Sequence, residues 1–403
     1  MGCGMKKLLS IVLSLILVLS LSACGNKTAS DTSSAAEQAA VIEDTFNGWY
    51  TEGDIVVTKD QVQKIVNQEF TTPKNVIVII GDGMGPNDIT LAQDNVKGVY
   101  DFGLVLNQIK NHGLATTHSA DSAVTDSAAS GTALSTGTKT NNGYVGKDVN
   151  GNDLKTMAET AREAGKKVGI ITDEDLVSAT PTAFTVHNIS RDNRKELASD
   201  MVKFKPDVLM CKDYTGTSAI LDADARQIFD NDYLVAKDFR RFKEMLDTDP
   251  GCEKPFFGFL DGYSTVASYN LARCAEVALQ RLQNDNGFFL MIESSGTDKY
   301  GHNNNINGKL NSVVTLDRTV AAVLKFMEEN PDTLLIITSD HETGGVKLPE
   351  SDDESLSSLL TLNEHTNTPV RVFAVGKGGE YFSDKTVDNT DIAKFVIAAI
   401  KGE

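Results

Sequence analysis

The chain has 403 residues, of which 40% are hydrophobic and 23% are charged, a composition typical of a folded protein with a sizeable core. Its formal net charge of -18 argues against nucleic acid or an anionic membrane surface as a binding partner. An anionic substrate would need local cations, such as bound metal ions or an arginine, to overcome that charge.

The N-terminus has the pattern of an export signal. Lys6 and Lys7 precede an apolar stretch, residues 8–21, that is short for a membrane span. The stretch is followed by Ser-Ala-Cys, which resembles the end of a bacterial lipobox. We therefore predict that residues 1–23 are a lipoprotein signal peptide and that Cys24 is lipidated; the alternative is a plain secretory signal with a chance cysteine.

A compositional change follows this signal. Residues 24–45 are rich in Ser, Ala and Thr and predict a flexible tether, and residues 46–403 form the remaining domain. No CxxC motif is present, and the three cysteines of this domain cannot all pair with one another, so we predict no disulfide framework. These three are Cys211, Cys252 and Cys274.

Downstream of the tether, apolar runs alternate with helical patterns. The first run, residues 75–80, lies between Pro73 and Gly81 and predicts a strand buried on both faces. Further strands are predicted at 167–172, 207–210, 287–292, 333–338 and 369–375, and helices at 155–164, 196–204, 264–284, 308–329 and 389–400. The alternation predicts an α/β fold with a mostly parallel central sheet covered by helices on both faces.

Three carboxylates lie at the ends of predicted strands. Asp82, Glu293 and Asp340 each follow an apolar run, and ligands of parallel sheets bind beyond the carboxyl ends of the strands. Residues 215–263 have weak periodicity and many charges. We predict that this segment is an insertion at the rim and not a core element.

The segment 125–132, Thr-Asp-Ser-Ala-Ala-Ser-Gly-Thr, places Ser127 on a turn that opens a helix of small residues. The free N–H groups of a helix start suit a phosphate or an oxyanion. No general base follows at a fixed spacing, so activation by a metal ion is the more fitting chemistry. The alternative is that Asp126 or Ser127 merely caps the helix.

A second segment offers an oxygen ligand and a cation. Thr180 precedes Pro181, and a threonine hydroxyl is an acceptable ligand for magnesium. Arg191 could donate two hydrogen bonds to phosphate oxygens. Taken alone, the segment is better explained by a helix start and an exposed arginine.

Two further segments combine carboxylates with histidines. Asp298 and His302 are four residues apart and can meet on one face of a helical turn, and Asp340 neighbours His341. Hard oxygen ligands suit magnesium, whereas mixed Asp and His ligands suit zinc. His365 adds one more histidine before a strand. The others, His112, His118 and His187, lack such a context and are interpreted as structural or surface residues.

With these motifs in order from about residue 75 to the C-terminus, the chain resembles the alkaline phosphatases. The resemblance implies that residues 46–403 are a catalytic domain that hydrolyses small phosphate monoesters through a phosphoserine intermediate. It implies that Ser127 is the nucleophile, that Asp126 steadies Arg191, and that Arg191 holds the phosphate. Lys299 would reach the phosphate through water.

The resemblance also implies two zinc ions and one magnesium ion per subunit, in three ligand sets. Asp82, Asp340 and His341 would bind the zinc that activates Ser127. Asp298, His302 and His365 would bind the second zinc, and Asp82, Thr180 and Glu293 the magnesium.

One departure from the family concerns the magnesium set. Ser178 stands where bacterial members commonly carry Asp, which predicts weaker magnesium binding or a different preferred ion. The expected location is outside the cytoplasm, anchored to the membrane through lipid on Cys24, and a homodimer is compatible with the resemblance.

Three other functions are weighed against a phosphomonoesterase. Diesterase relatives commonly use Thr as nucleophile and lack this arginine and the magnesium set, so Ser127, Arg191 and Glu293 favour monoesters. A lipoprotein that binds phosphate or metal without turnover would not need a nucleophile. A sulfatase is disfavoured because its nucleophile pattern is missing at Ser127.

Overall fold

The computed structural model describes residues 57–95, 100–237, 253–259, 267–351 and 353–403. The predicted export signal, Cys24 and the tether lie outside these residues. Across the described part of the chain, no helix is both long enough and apolar enough to cross a bilayer.

Strands and helices alternate along most of the described chain. The strands are β1 (Asn75–Gly81), β2 (His112–Thr116), β3 (Lys167–Asp175), β4 (Val208–Lys212), β5 (Leu234–Ala236), β6 (Phe256–Phe259), β7 (Phe288–Ser294), β8 (Thr333–Thr338), β9 (Glu342–Thr343), β10 (His365–Thr366), β11 (Val370–Val375) and β12 (Thr386–Asp388). The helices are α1 (Lys59–Val66), α2 (Pro86–Asn95), α3 (Ser127–Thr136), α4 (Met157–Glu163), α5 (Ala179–Ala183), α6 (Arg194–Phe204), α7 (Tyr214–Ile220), α8 (Ala223–Asp232), α9 (Ala267–Leu282), α10 (Gly296–His302), α11 (Ile306–Glu329) and α12 (Asn389–Lys401).

Ten described strands form one sheet in the order β12-β2-β11-β8-β1-β7-β3-β4-β6-β5. Neighbouring strands are parallel except at β11, which runs antiparallel to both β8 and β2. β9 and β10 form a separate antiparallel ribbon. The predicted α/β fold with a mostly parallel sheet is confirmed.

The sheet has an apolar core on each face. Side chains of β1 alternate between them: Ile77 and Ile79 pack in a cluster with α9 and α11, while Val76, Val78 and Ile80 pack in a second cluster with α3, α4, α6 and α12. Because helices cover both faces, a central strand must be apolar at every position. This requirement explains the uninterrupted apolar run that predicted β1.

The expectation that residues 215–263 contribute nothing to the core is wrong for the part that the structure describes. β6 pairs in parallel with β4, and β5 extends the sheet beyond β6. Phe256, Phe257 and Phe259 are buried. A four-residue strand buried on both faces is too short to show a period, which is why the sequence pattern missed it.

A buried carboxylate on α11 supports the loop before β2. The oxygens of Asp317 accept hydrogen bonds from the backbone amides of Val105 (3.0 Å) and Leu106 (2.8 Å). Burial raises the pKa of Asp317 to about 7, although these two hydrogen bonds oppose the shift. The folded chain therefore retains a proton on Asp317 at pH values where the unfolded chain has released it.

For this reason we expect the contribution of Asp317 to the free energy of unfolding to fall as the pH rises from about 4 to 7, by at most about 1.4 kcal/mol per pH unit. The measurement compares the free energies of unfolding of wild type and Asp317→Asn across that range. The difference, wild type minus variant, should fall with rising pH. A difference that does not change with pH would contradict the raised pKa of Asp317.

Candidate active site

The candidate site lies where three central strands end. Asp82 follows β1, Glu293 is near the end of β7, and Asp340 follows β8; these strands are neighbours in the sheet. Backbone hydrogen bonds join the loops beyond them, from Asp298 N to Asp82 O (2.8 Å) and from Thr343 N to Gly83 O (3.1 Å). The strand-end carboxylates are thereby brought to one place.

Gly83 permits this close approach of the loops. Its φ is +70°, and a Cβ at this position would lie 2.7 Å from the Asp298 Cα and 2.7 Å from the Thr343 Oγ1. A larger residue would force the loops apart.

Ser127 begins α3, the helix of small residues. Asp126 is its N-cap and accepts a hydrogen bond from the Ala129 amide at 2.9 Å. The same helix is tied to the loop after β8, because Ser130 Oγ donates to the Asp340 carbonyl at 2.6 Å. These contacts place Ser127 Oγ 3.2 Å from His341 Nε2.

The second oxygen of the Asp126 carboxylate positions Arg191. It accepts from Arg191 Nη1 at 3.1 Å and from the Gly143 amide at 3.0 Å. The backbone of Arg191 is fixed as well, since its amide donates to the Gly143 carbonyl at 2.8 Å. About a third of the arginine side chain (36%) stays exposed, so the guanidinium can meet a ligand.

The first carboxylate–histidine group consists of Asp298, His302 and His365. Asp298 Oδ1 is 3.2 Å from His302 Nε2 and 3.3 Å from His365 Nε2, and these two nitrogens are 3.1 Å apart. Each Nδ1 faces a backbone carbonyl, that of Asn363 for His302 and that of Thr125 for His365. This arrangement directs both Nε2 atoms to one point, as in metal-binding histidines.

The second group consists of Asp82, Asp298 and His341, with Asp340 beside it. His341 Nε2 is 3.6 Å from Asp82 Oδ1 and 3.3 Å from Asp340 Oδ2. Both of these carboxylate oxygens are buried and have no hydrogen-bond donor within the described chain. Such oxygens are costly unless a cation or a donor meets them, so the donor set fits a divalent metal ion.

Thr180 and Glu293 form a third polar pocket. Thr180 Oγ1 and Glu293 Oε1 are buried without a hydrogen-bond partner among the described residues, while Glu293 Oε2 accepts from the Thr172 hydroxyl. Burial, together with the nearby carboxylates of Asp173 and Asp340, raises the pKa of Glu293 to about 8. An all-oxygen donor set of this kind fits magnesium.

Charge crowding supports cation binding at the whole site. Burial and the neighbouring carboxylates of Asp340, Asp298 and Glu293 raise the pKa of Asp82 well above its usual range. Burial opposes the ionisation of Asp298 as well, but hydrogen bonds from His302 and His365 outweigh it and hold the pKa of that carboxyl low. Divalent cations would relieve this repulsion, so the residues present fit metal ions.

Lys299 has a partner that the sequence did not indicate. Its ammonium group forms an ion pair with Glu174, a residue near the end of β3. Burial lowers the pKa of Lys299, opposed by the charges of Asp173 and Asp82. Lys299 is thus at the edge of the carboxylate cluster, and Glu174 is the group that orients it.

Other residues of the site also escaped the sequence pattern. Thr343 Oγ1 donates to Asp298 Oδ1 at 2.6 Å and is 3.2 Å from His341 Nδ1, so it links the two carboxylate–histidine groups. The sequence signal that could have identified Thr343 is its position in the segment Thr-Ser-Asp-His-Glu-Thr, two residues after His341.

His187, which the sequence analysis interpreted as structural or surface, contacts Gly146 O (2.7 Å) and Glu159 Oε1 (2.9 Å), away from these groups.

A cleft of about 430 Å³ opens above Ser127. Its lining includes Ser127, Arg191, His302 and His365. A nucleophile, a cation for an anionic substrate and one carboxylate–histidine group therefore face the same space.

Comparison with known proteins gives one consistent family. Residues 73–222 and 264–352 match the family model described as alkaline phosphatase. Alkaline phosphatase 4 of Bacillus subtilis (strain 168) is 33% identical over 298 residues, which cover 69% of this chain and 63% of that relative. Alkaline phosphatase 3 of the same organism is 31% identical over 372 residues, which cover 85% of this chain and 74% of that relative.

Solved structures agree. The alkaline phosphatase from the Antarctic bacterium TAB5 is 28% identical, with a TM-score of 0.68, over 83% of this chain and 99% of that one. A variant of the TAB5 enzyme has been solved with Mg bound in its M3 site. The alkaline phosphatase of Thermus thermophilus, at 22% identity and a TM-score of 0.70, shares the fold.

Proposed function

This chain belongs to the alkaline phosphatase family, and from that premise we propose that it hydrolyses phosphate monoesters through a phosphoserine intermediate on Ser127. The observation that carries the proposal is the position of Ser127 Oγ, 3.2 Å from His341 Nε2 in the cleft that Arg191 also lines. The ester phosphate would lie against the start of α3, where free N–H groups favour an anion.

Three of the chain's own residues act in a reaction of two steps. Ser127 Oγ forms a bond to phosphorus as the alcohol or phenol leaves, and water then cleaves the phosphoserine to release phosphate. Arg191 neutralises charge on the transferring group in both steps. Asp126 keeps the guanidinium in position throughout.

We further propose that the three polar groups bind two zinc ions and one magnesium ion. Bound divalent metal lowers the pKa of a ligated hydroxyl or water and stabilises developing negative charge. Supporting this proposal are the buried carboxylate oxygens without donors and the convergence of the histidine Nε2 atoms. The residues that would hold the ions are Asp82, Asp340 and His341; Asp298, His302 and His365; and Asp82, Thr180 and Glu293.

Arg191→Ala is expected to raise KM for a phosphate monoester by about tenfold to 100-fold, because a charge-assisted hydrogen bond to the phosphate is lost. Steady-state kinetics measures the effect. Arg194→Ala is the matched control, since Arg194 pairs with Asp175 at 3.1 Å and does not line the cleft. An unchanged KM in Arg191→Ala would remove the arginine from the proposed role.

Ser178→Asp is expected to strengthen magnesium binding. Ser178 immediately precedes α5, which carries Thr180, and it makes no capping hydrogen bond there. A carboxylate at this position adds a charged oxygen ligand, or holds a ligating water, near the third group. Magnesium titration of the metal-depleted enzyme should show a lower Kd than in wild type, whereas an equal or higher Kd would contradict the interpretation.

We also propose that the mature protein acts outside the cytoplasm on small monoesters, held to the membrane by lipid on Cys24. The resemblance of residues 21–24 to a lipobox supports the anchor, and the net charge of -18 supports the proposal that nucleic acid is not a partner. A homodimer is compatible with this proposal.

The experiment that separates the proposed activity from a diesterase compares turnover of an aryl phosphate and a bis-aryl phosphate under identical conditions. We expect the monoester to be hydrolysed faster. A ratio of monoester to diester turnover below one would instead assign the site to diesters.

A further inference from the structure

A lysine is buried directly beneath the three strand-end loops. Lys309, in the first turn of α11, is 0% exposed. Its Nζ contacts the carbonyls of Thr343 (2.7 Å), Gly83 (3.3 Å) and Thr297 (3.3 Å). An ammonium group has three N–H donors, and here they meet the three segments that follow β1, β7 and β8.

Each of these carbonyls is next to a proposed metal ligand. Gly83 follows Asp82, Thr297 precedes Asp298, and Thr343 itself donates to the Asp298 carboxylate. A displacement of any one loop relative to the others would alter the positions of the ligand atoms. Lys309 is therefore placed to hold the three loops together.

The charge of Lys309 is compensated by Asp88, which is also 0% exposed. Asp88 Oδ2 is 3.3 Å from Lys309 Nζ and accepts from the Gly85 amide at 2.8 Å. Through Gly85 the carboxylate reaches the loop of Asp82. Apolar side chains often stabilise a core at least as well as a buried ion pair does, so stability alone does not account for this pair.

We propose that Lys309, paired with Asp88, is a positioning residue that fixes the loops of the two carboxylate–histidine groups and thereby sets their affinity for divalent cations. The inference rests on the proposed function for the identity of these groups as metal sites. It does not require that the enzyme turn over any particular ester.

The test measures zinc affinity of the metal-depleted full-length protein by competition with a chromophoric chelator. Lys309→Met keeps the length and apolar stem of the side chain but removes the three donors. We expect zinc binding about tenfold to 100-fold weaker than in wild type, the range seen when groups that orient metal ligands are removed. The visible spectrum of the cobalt-loaded protein should also change, because the ligands no longer converge in the same geometry.

Two further variants separate positioning from stability. Lys309→Met leaves the buried carboxylate of Asp88 without its cation. The double variant Lys309→Met with Asp88→Asn removes that carboxylate as well, so zinc affinity can be measured on it if the single variant does not fold. The control Asp317→Asn alters another buried carboxyl on α11, whose partners are the Val105 and Leu106 amides and which belongs to neither metal group. It should keep wild-type zinc affinity and cobalt spectrum even if its stability falls.

The outcomes are distinct. Weak zinc binding and an altered cobalt spectrum in the double variant, but not in Asp317→Asn, would support the proposal. Wild-type affinity and spectrum in either Lys309 variant would overturn it, as would equal losses in Asp317→Asn. If wild type bound zinc tightly but released no phosphate, the proposed function would fail while this inference stood.

Discussion

Ser127→Ala is expected to reduce phosphate release by about 10³-fold or more, since the group that bonds to phosphorus is removed. The substitution deletes one oxygen, whose partner is His341 Nε2 at 3.2 Å, and leaves the carboxylates and histidines in place. Metal binding should therefore be retained. Steady-state turnover and metal content measured on the same sample separate loss of the nucleophile from loss of the metals.

Ser135→Ala is the matched control on the same helix. Ser135 is buried, and its Oγ donates to the Ala183 carbonyl at 2.6 Å, outside the cleft. The Ser135→Ala substitution should lower the free energy of unfolding by about 1 kcal/mol and leave turnover near that of wild type. Acid quenching during turnover of a labelled monoester should trap phosphoserine in wild type and in Ser135→Ala. Comparable labelling or turnover in Ser127→Ala would place the nucleophile elsewhere.

Asp298→Asn is the second change with a large expected effect, because one carboxylate serves both carboxylate–histidine groups. Its Oδ1 is within 3.3 Å of both His302 Nε2 and His365 Nε2. Replacing it by a neutral amide of the same size should weaken zinc binding by more than about 100-fold, since changes to groups that only orient ligands already cost 10–100-fold. Phosphate release at limiting zinc should fall accordingly.

Zinc content after gel filtration and activity during zinc titration measure this effect. Asp175→Asn is the control, a carboxylate at the end of β3 that pairs with Arg194 and belongs to neither group. Asp298→Asn with wild-type zinc content and activity would show that the carboxylate is not a ligand.

The sequence predicted most central elements because their physical signature is strong. β8 has the predicted bounds, and β1 extends one residue beyond the prediction. Both could be predicted because a strand that is buried on both faces is a continuous apolar run in the sequence. The antiparallel direction of β11 could not be read from such a run, which carries no information on direction. The short strands β5 and β6 were missed because their burial is decided by pairing within the sheet, of β6 with β4 and of β5 with β6.

The sequence likewise predicted some residues of the candidate site and missed others. Asp82, Glu293 and Asp340 could be expected to meet, because the ends of parallel strands share one edge of the sheet. His365 was assigned to a metal-ligand set only by the family resemblance, since a lone histidine before a strand does not by itself indicate a ligand. Glu174 and Lys309 contact residues that are distant in the sequence, so no local pattern identifies them. Glu174, for example, is separated by 125 residues from its ion-pair partner Lys299.

The most direct test of the central claim is phosphate release from a generic aryl phosphate at alkaline pH, measured on soluble protein lacking the tether. The protein is assayed before chelation, after chelation, and after zinc and magnesium are restored together. The proposed mechanism predicts activity that disappears with the chelator and returns with both ions. Full metal binding without turnover, or turnover unaffected by chelation, would contradict it.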